Sequence, residues 1–162
     1  MMSKKNFIFD METIGPNSRF CPVVDMAYTV FVWDRFLESP YTFEELVASV
    51  KTVKLSVADQ MQNYGCSFKK EDVTWWEKLP KAARDKLRPT EEDLTVPEFC
   101  DTIISYLREQ NSIDYWWSRG NSFDPVILER LMQYGKQSNL SNQYLRFYKV
   151  RDIRTYIDAK FN

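Results

Sequence analysis

Apolar runs rich in β-branched and aromatic residues fill the first third of the chain, and apolar positions spaced three and four apart take over after it. Asn6 to Glu12 is a short apolar stretch running into Thr13-Ile14-Gly15-Pro16-Asn17, which predicts a strand that ends in a Gly-Pro-Asn turn. Val23 to Trp33 predicts a second strand, long enough for the centre of a sheet, and Ala48 to Leu55 a weaker third. Helices follow. Thr74-Trp75-Trp76-Glu77 and Thr95-Val96-Pro97-Glu98 both have the Thr-x-x-Glu form of a capping box. In the second, Val96, Phe99, Cys100, Ile103, Ile104 and Leu107 line one helical face. Ile113 to Ser118 then predicts a strand, Pro125 to Tyr134 a helix, Arg146 to Val150 a strand, and Ile153 onward the start of another helix. Strands first, then alternating helix and strand, predict a mixed α/β sheet.

The chain has 162 residues, suited to one domain with a substantial core. Its three cysteines, Cys21, Cys66 and Cys100, are odd in number and form no Cys-x-x-Cys pair, which argues against a disulfide framework and for a reducing cytoplasm. No signal-like or membrane-spanning apolar run is present, so no membrane partner is expected. Net charge is −1, but from Arg119 to Asn162 eight Lys/Arg stand against four Asp/Glu. That asymmetry suits either a polyanion partner or an ordinary solvated surface. Histidine is absent, which excludes any histidine general base or Ser/His/Asp triad supplied by these residues.

The candidate chemistry is carboxylate chemistry. Asp10 and Glu12 end the first strand and, because side chains alternate, leave the same face about 7 Å apart. Two acids on one face either lie on a solvated strand edge or repel one another until a hard cation such as Mg²⁺ or Mn²⁺ relieves the conflict. Asp124 precedes Pro125, which suits a helix N-cap with proline in the first turn. If the strand ending near Ser118 lies beside the first strand, Asp124 reaches the same sheet edge as Asp10 and Glu12, and three such carboxylates suffice for a two-cation hydrolytic site.

Four segments then occur in order: Phe9-Asp10-Met11-Glu12-Thr13-Ile14-Gly15, the Trp75-Trp76 pair, Arg119-Gly120-Asn121-Ser122-Phe123-Asp124-Pro125-Val126-Ile127-Leu128, and Arg151-Asp152-Ile153-Arg154-Thr155. Together they resemble the 3′→5′ exonucleases of the four-carboxylate (Asp-Glu-Asp-Asp) superfamily, and its T-even bacteriophage members in particular, over nearly the whole chain. The resemblance implies an RNase H-like mixed five-stranded sheet flanked by helices, with three antiparallel strands followed by strands parallel to the first. It implies Asp10, Glu12 and Asp124 as catalytic ligands of Mg²⁺ or Mn²⁺, and a nucleic-acid 3′ end as partner. Around them Thr13, Trp76 and Arg119 are expected to meet substrate, although a turn role for Thr13, simple packing for Trp75 and Trp76, and an ion pair orienting Asp124 for Arg119 remain open. Lys69 and Lys70 are either a solvated pair or a backbone contact. Of Trp116 and Trp117, on one strand, one belongs to the core. Asp152 is expected to cap the last helix and Arg154 to support the site from behind.

The resemblance also breaks. Family members close with a helix carrying a histidine and a fourth aspartate, and Tyr156-Ile157-Asp158 has the wrong spacing for the tyrosine variant of that motif. A single exonuclease-like domain over residues 1–162 that lacks its final helix is therefore expected. Its activity should be impaired, and apolar surface near Ile153, Ile157 and Phe161 should be left for self-association or a partner chain. A cut-down fragment, a naturally shortened gene product and half of a composite site are equally consistent with that pattern. Two functions follow: a metal-dependent exonuclease releasing 5′-mononucleotides, with DNA favoured by the phage-like pattern over an exoribonuclease, or an inactive relative that binds nucleic acid or protein.

Overall fold

The computed structural model describes residues 4–161. Its strands are β1 (Lys5–Thr13), β2 (Val23–Val32), β3 (Lys51–Lys54), β4 (Tyr115–Ser118) and β5 (Val150–Asp152), in one sheet of order β3-β2-β1-β4-β5. β1–β2 and β2–β3 pair antiparallel, whereas β1–β4 and β4–β5 pair parallel, as the RNase H-like expectation requires. The helices are α1 (Arg35–Glu38), α2 (Phe43–Ser49), α3 (Val57–Tyr64), α4 (Lys70–Glu77), α5 (Lys81–Asp85), α6 (Val96–Glu109), α7 (Asp124–Tyr134), α8 (Ser138–Tyr144) and α9 (Ile153–Phe161).

Strand alternation gives the sheet two unlike faces. Phe7, Phe9 and Met11 of β1 point into the main core with Met26 and Tyr28 of β2 and Trp116 of β4. α6 covers that face with the apolar stripe read from its sequence, and α7 adds Ile127, Leu128, Leu131 and Met132. α6 starts as its capping box dictates: the Thr95 N–H donates to Glu98 Oε2 at 2.8 Å.

A smaller cluster of Ile14, Val24 and Trp76, with Val73, Leu79 and Leu87 packed on it, fastens the region of α4 and α5 to the far end of β1. Here the Thr74 capping box is corrected. α4 begins a turn earlier, where Asp72 Oδ2 accepts the Lys69 N–H at 2.8 Å, and Thr74 donates its hydroxyl to Lys70 O instead. The strand expected over Arg146–Val150 is also corrected: Phe147–Lys149 is a 3₁₀ turn, and pairing with β4 starts only at Val150.

The second face carries Asn6, Ile8, Asp10 and Glu12 of β1. Near the start of β1 it is closed by rings: the Trp117 indole N–H donates to Asn6 Oδ1 at 2.8 Å, Trp33 stacks on Trp117, and Tyr156 of α9 meets both edge-on. The expectation of a sheet without its final helix is thereby corrected. The Arg-Asp-Ile-Arg-Thr segment itself opens α9, whose start is held by the Arg154 N–H donating to Asp152 Oδ1 at 2.9 Å. Ile157 and Phe161 remain exposed on this helix.

Candidate functional site

Parallel pairing of β1 with β4 extends only from Asn6 to Ile8, so beyond Ile8 β1 runs on past β4 towards the turn that leads into α7. The chain returns through Arg119, Gly120 (φ +102°) and Phe123 and delivers Asp124 beside Asp10. Asp124 is buried, and its carboxyl group accepts the Met11 backbone N–H and hydrogen-bonds Asp10. It is therefore the first residue of α7 and not its cap; Phe123 takes the cap position without a side-chain bond.

The three expected acids act on one another electrostatically. Burial first, then the charges of Asp10 and Glu12, push the Asp124 carboxyl up to about 7, and in its protonated form it donates to Asp10. Asp10 is raised by burial and by Asp25, and held back by Arg119 and by Asp124's hydrogen bond. Glu12 is raised by burial, Asp10 and Asp25.

Asp25 is the acid that sequence reading missed. It is the sole charged residue of β2 and sits directly across from Glu12 in the antiparallel register, on the same face. A lone acid at an outward position of an apolar strand was the available signal. Its partner, Lys86 just after α5, contacts Asp25 Oδ2 at 2.7 Å and had no signal in the local sequence.

The donor set is all carboxylate oxygen, the kind that Mg²⁺ and Mn²⁺ take, and the proton that Asp124 shares with Asp10 occupies a position a cation would relieve. Among the described residues no three His, Cys, Asp or Glu side chains already converge as a finished metal cage. The residues thus fit such an ion in the kind of donor they offer, and Glu12 is exposed and lines the cleft.

That cleft, about 450 Å³, is lined by Glu12, Thr13, Gly15, Asp72, Trp75 and Phe123 among others. It adjoins a second of about 700 Å³ that shares Gly15, Pro16 and Asp72 and includes Arg19, Phe20, Phe68 and Lys69. Trp76, expected at the substrate, is corrected to the small core: it is 2% exposed and its indole N–H donates to Thr13 O at 3.1 Å. The ring that faces the cleft is Trp75, 55% exposed. Adjacent helical positions point about 100° apart, so only one of the pair can do either job. Thr13 lines the cleft but donates its hydroxyl to Gly15 O at 2.8 Å, a turn bond. Arg119 is exposed and, among the described residues, makes no ion pair within 4 Å; it acts on Asp10 at longer range. Asp152 caps α9 as expected, and Arg154 is exposed.

The 3′-5′ exoribonuclease Rv2179c-like domain profile matches residues 5–161. The chain belongs to that family. An exodeoxyribonuclease of Enterobacteria phage T4 is 30% identical over 167 residues, covering 95% of this chain and 71% of the phage protein. Among solved structures, E. coli exonuclease I bound to a dT13 oligonucleotide superposes with a TM-score of 0.60 at 13% identity, over 96% of this chain and 29% of that one. A zinc-bound E. coli ExoI–ssDNA complex gives 0.59, again at 13% identity, over 96% of this chain and 29% of that one. The chain thus spans under a third of the exonuclease I chains it resembles in fold. The family is one of 3′→5′ exonucleases by its description.

Proposed function

We propose that the chain is a single divalent-metal-dependent 3′→5′ exonuclease domain, which hydrolyses the terminal phosphodiester of a single strand and releases 5′-mononucleotides. The observation that carries this reading is the electrostatic coupling of Asp10, Glu12 and the buried Asp124, with Glu12 lining a cleft that bears an exposed tryptophan. Asp10, Glu12 and Asp124 would hold Mg²⁺ or Mn²⁺, which when bound polarises the phosphate and lowers the pKa of water. Asp124, whose carboxyl burial pushes up to about 7, must give up its proton for this. Trp75 offers a face on which a terminal base stacks irrespective of sequence. Thr13 and Glu12 border the space for the terminal sugar, and Arg119 stands free to meet a phosphate from the β4 side.

With no imidazole in the chain, no histidine positions the attacking water, and turnover by these residues alone is expected to be slow, about 10² to 10⁴ below a site with a positioned base. Ile157 and Phe161, exposed on α9, suit self-association or a partner chain. The three unpaired, buried thiols suit a reducing cytoplasm, that of an infected host if the chain is phage-encoded, and no helix among the described residues is long and apolar enough to cross a membrane.

The phage relative's name favours DNA as substrate, and the family's description favours RNA. The test is incubation of 5′-labelled single-stranded DNA and RNA of one sequence with Mn²⁺, with Asp10→Ala as control. A ladder shortening from the 3′ end that the variant abolishes supports the enzyme, and the faster of the two substrates identifies the sugar. Retention of either strand without shortening would replace it with a binding module.

A further inference from the structure

Lys86 is a cation brought to the acid cluster by tertiary packing and unused by the chemistry described so far. Its ammonium lies 2.7 Å from Asp25 Oδ2. Asp25 is the cross-strand neighbour of Glu12, and directly opposed side chains on one sheet face have Cβ atoms about 5 Å apart. The charge of Lys86 is felt by both Asp10 and Glu12. A merely structural lysine, present to quench the Asp25–Glu12 repulsion, would be expected to sink into the pair. Instead the two partners are unequal: the Asp25 side chain is 16% exposed and fixed in the sheet, whereas that of Lys86 is 47% exposed. An ammonium has three N–H donors, and among the described residues Asp25 is its ion-pair partner, so a half-exposed ammonium retains donors beyond that pair.

Strand order places the second cation across from it. Arg119 follows β4 on one side of β1, while Asp25 and Lys86 stand on the β2 side, with Asp10 and Glu12 between them. We propose that Lys86, aimed by Asp25, contacts a non-bridging phosphate oxygen of the strand seated at the carboxylates and forms with Arg119 a two-cation clamp on the substrate backbone. Asp25 is then a positioning residue for Lys86, besides its direct charge effect on Asp10 and Glu12. This rests on the exonuclease reading of the site. It requires no covalent step of its own: Lys86 supplies charge and hydrogen bonds.

The test measures binding and turnover separately in Lys86→Ala, Lys86→Arg and Asp25→Asn. The binding probe is a ten-nucleotide single strand with a phosphorothioate as its last linkage, in Mg²⁺ across a series of salt concentrations. Lys86→Ala is expected to bind about tenfold more weakly, a loss of the size of one charge-assisted hydrogen bond. The slope of log K against log salt should flatten by about 0.7, the signature of one lost phosphate contact on a single strand. Lys86→Arg should restore both, and Asp25→Asn should raise KM and weaken binding of the probe in the same sense as Lys86→Ala, because the lysine is still present but no longer aimed. A Lys86→Ala protein with the parent's affinity and salt slope would overturn the proposal while leaving the exonuclease reading intact, whereas a parent chain that neither binds nor shortens the strand would overturn both. If Lys86→Ala fails to fold, Lys86→Arg decides: an arginine variant that folds but keeps a flattened slope and weakened binding would also overturn it.

Discussion

The carboxyl groups of Asp10 and Asp124 share a hydrogen bond where the end of β1 meets the start of α7, and Asp124 supplies the proton. One consequence is a stability that falls as pH rises. The Asp124 carboxyl titrates near 3.9 in the unfolded chain and at about 7 here, so between those values the folded state holds the extra proton. The stabilisation is fully present below about pH 4 and is lost as pH climbs through 7, roughly 2 to 4 kcal/mol in all. Asp10 and Glu12, also raised, contribute in the same sense. Melting in EDTA should therefore give a lower Tm at pH 8 than at pH 5, and Asp124→Asn should flatten that dependence. Mn²⁺ should reverse the trend, raising Tm more at pH 8 than at pH 5, since the cation takes the place of the proton.

Removing one acid should separate activity from stability. Asp10→Asn and Asp124→Asn each delete a negative charge from a crowded cluster but also a ligand oxygen. Manganese-dependent hydrolysis is expected to fall at least about 10²-fold, while the Tm in EDTA at pH 8 stays level or rises as repulsion is relieved. A steady-state rate on a labelled oligonucleotide beside a melting curve checks both halves. Loss of rate accompanied by a large loss of Tm would assign these acids to the fold instead.

The parts of this site that were legible in the sequence are those set by short-range geometry. The two-residue period of β1 was enough to put Asp10 and Glu12 on one face, and the three- and four-residue apolar spacing of α6 with its Thr95–Glu98 box marked that helix and its buried side. Where two local signals competed, the sequence could not choose. Thr74-x-x-Glu77 looks like a cap, but Asp72 claims the Lys69 N–H one turn earlier. The aromatic run before Val150 looks like a strand but winds into a 3₁₀ turn. The contact of Lys86 with Asp25 was invisible because it depends on how the α4–α5 region packs on Ile14, Val24 and Trp76, a long-range matter that no window of residues contains.

The adjacent tryptophans should respond in opposite ways. Trp75→Ala removes an exposed ring from the cleft and is expected to weaken single-strand binding by about 1 to 3 kcal/mol with little change in Tm. Trp76→Ala empties the small core and strands the Thr13 carbonyl, and should cost about 3 to 5 kcal/mol of stability. Intrinsic fluorescence quenching by oligonucleotide, compared between the parent chain and Trp75→Phe, reads the first. Denaturant unfolding reads the second. Equal melting losses in both variants would contradict this division of labour.

Gly15 lies on the wall between the two clefts, and its backbone explains why no side chain is tolerated there. Its φ is +99°, in the region that side chains rarely adopt, and an added Cβ would stand 2.8 Å from Asp72 Oδ2. Asp72 cannot move freely, because the same oxygen accepts the Lys69 N–H that opens α4. Gly15→Ala must therefore either strain the turn after β1 or pull Asp72 off its cap, with a cost of about 1 to 3 kcal/mol in backbone strain and of about 0.5 to 2 kcal/mol more if the cap is lost. Because α4 carries Trp75, the loss should not stop at stability: single-strand affinity should drop with it. Asp72→Ala in the Gly15→Ala background is the control. With the carboxylate gone, the added methyl has room and only the backbone term remains, so the double variant should lose less stability than the two single losses combined. Strict additivity of the two in denaturant unfolding would show that the methyl and the carboxylate never meet.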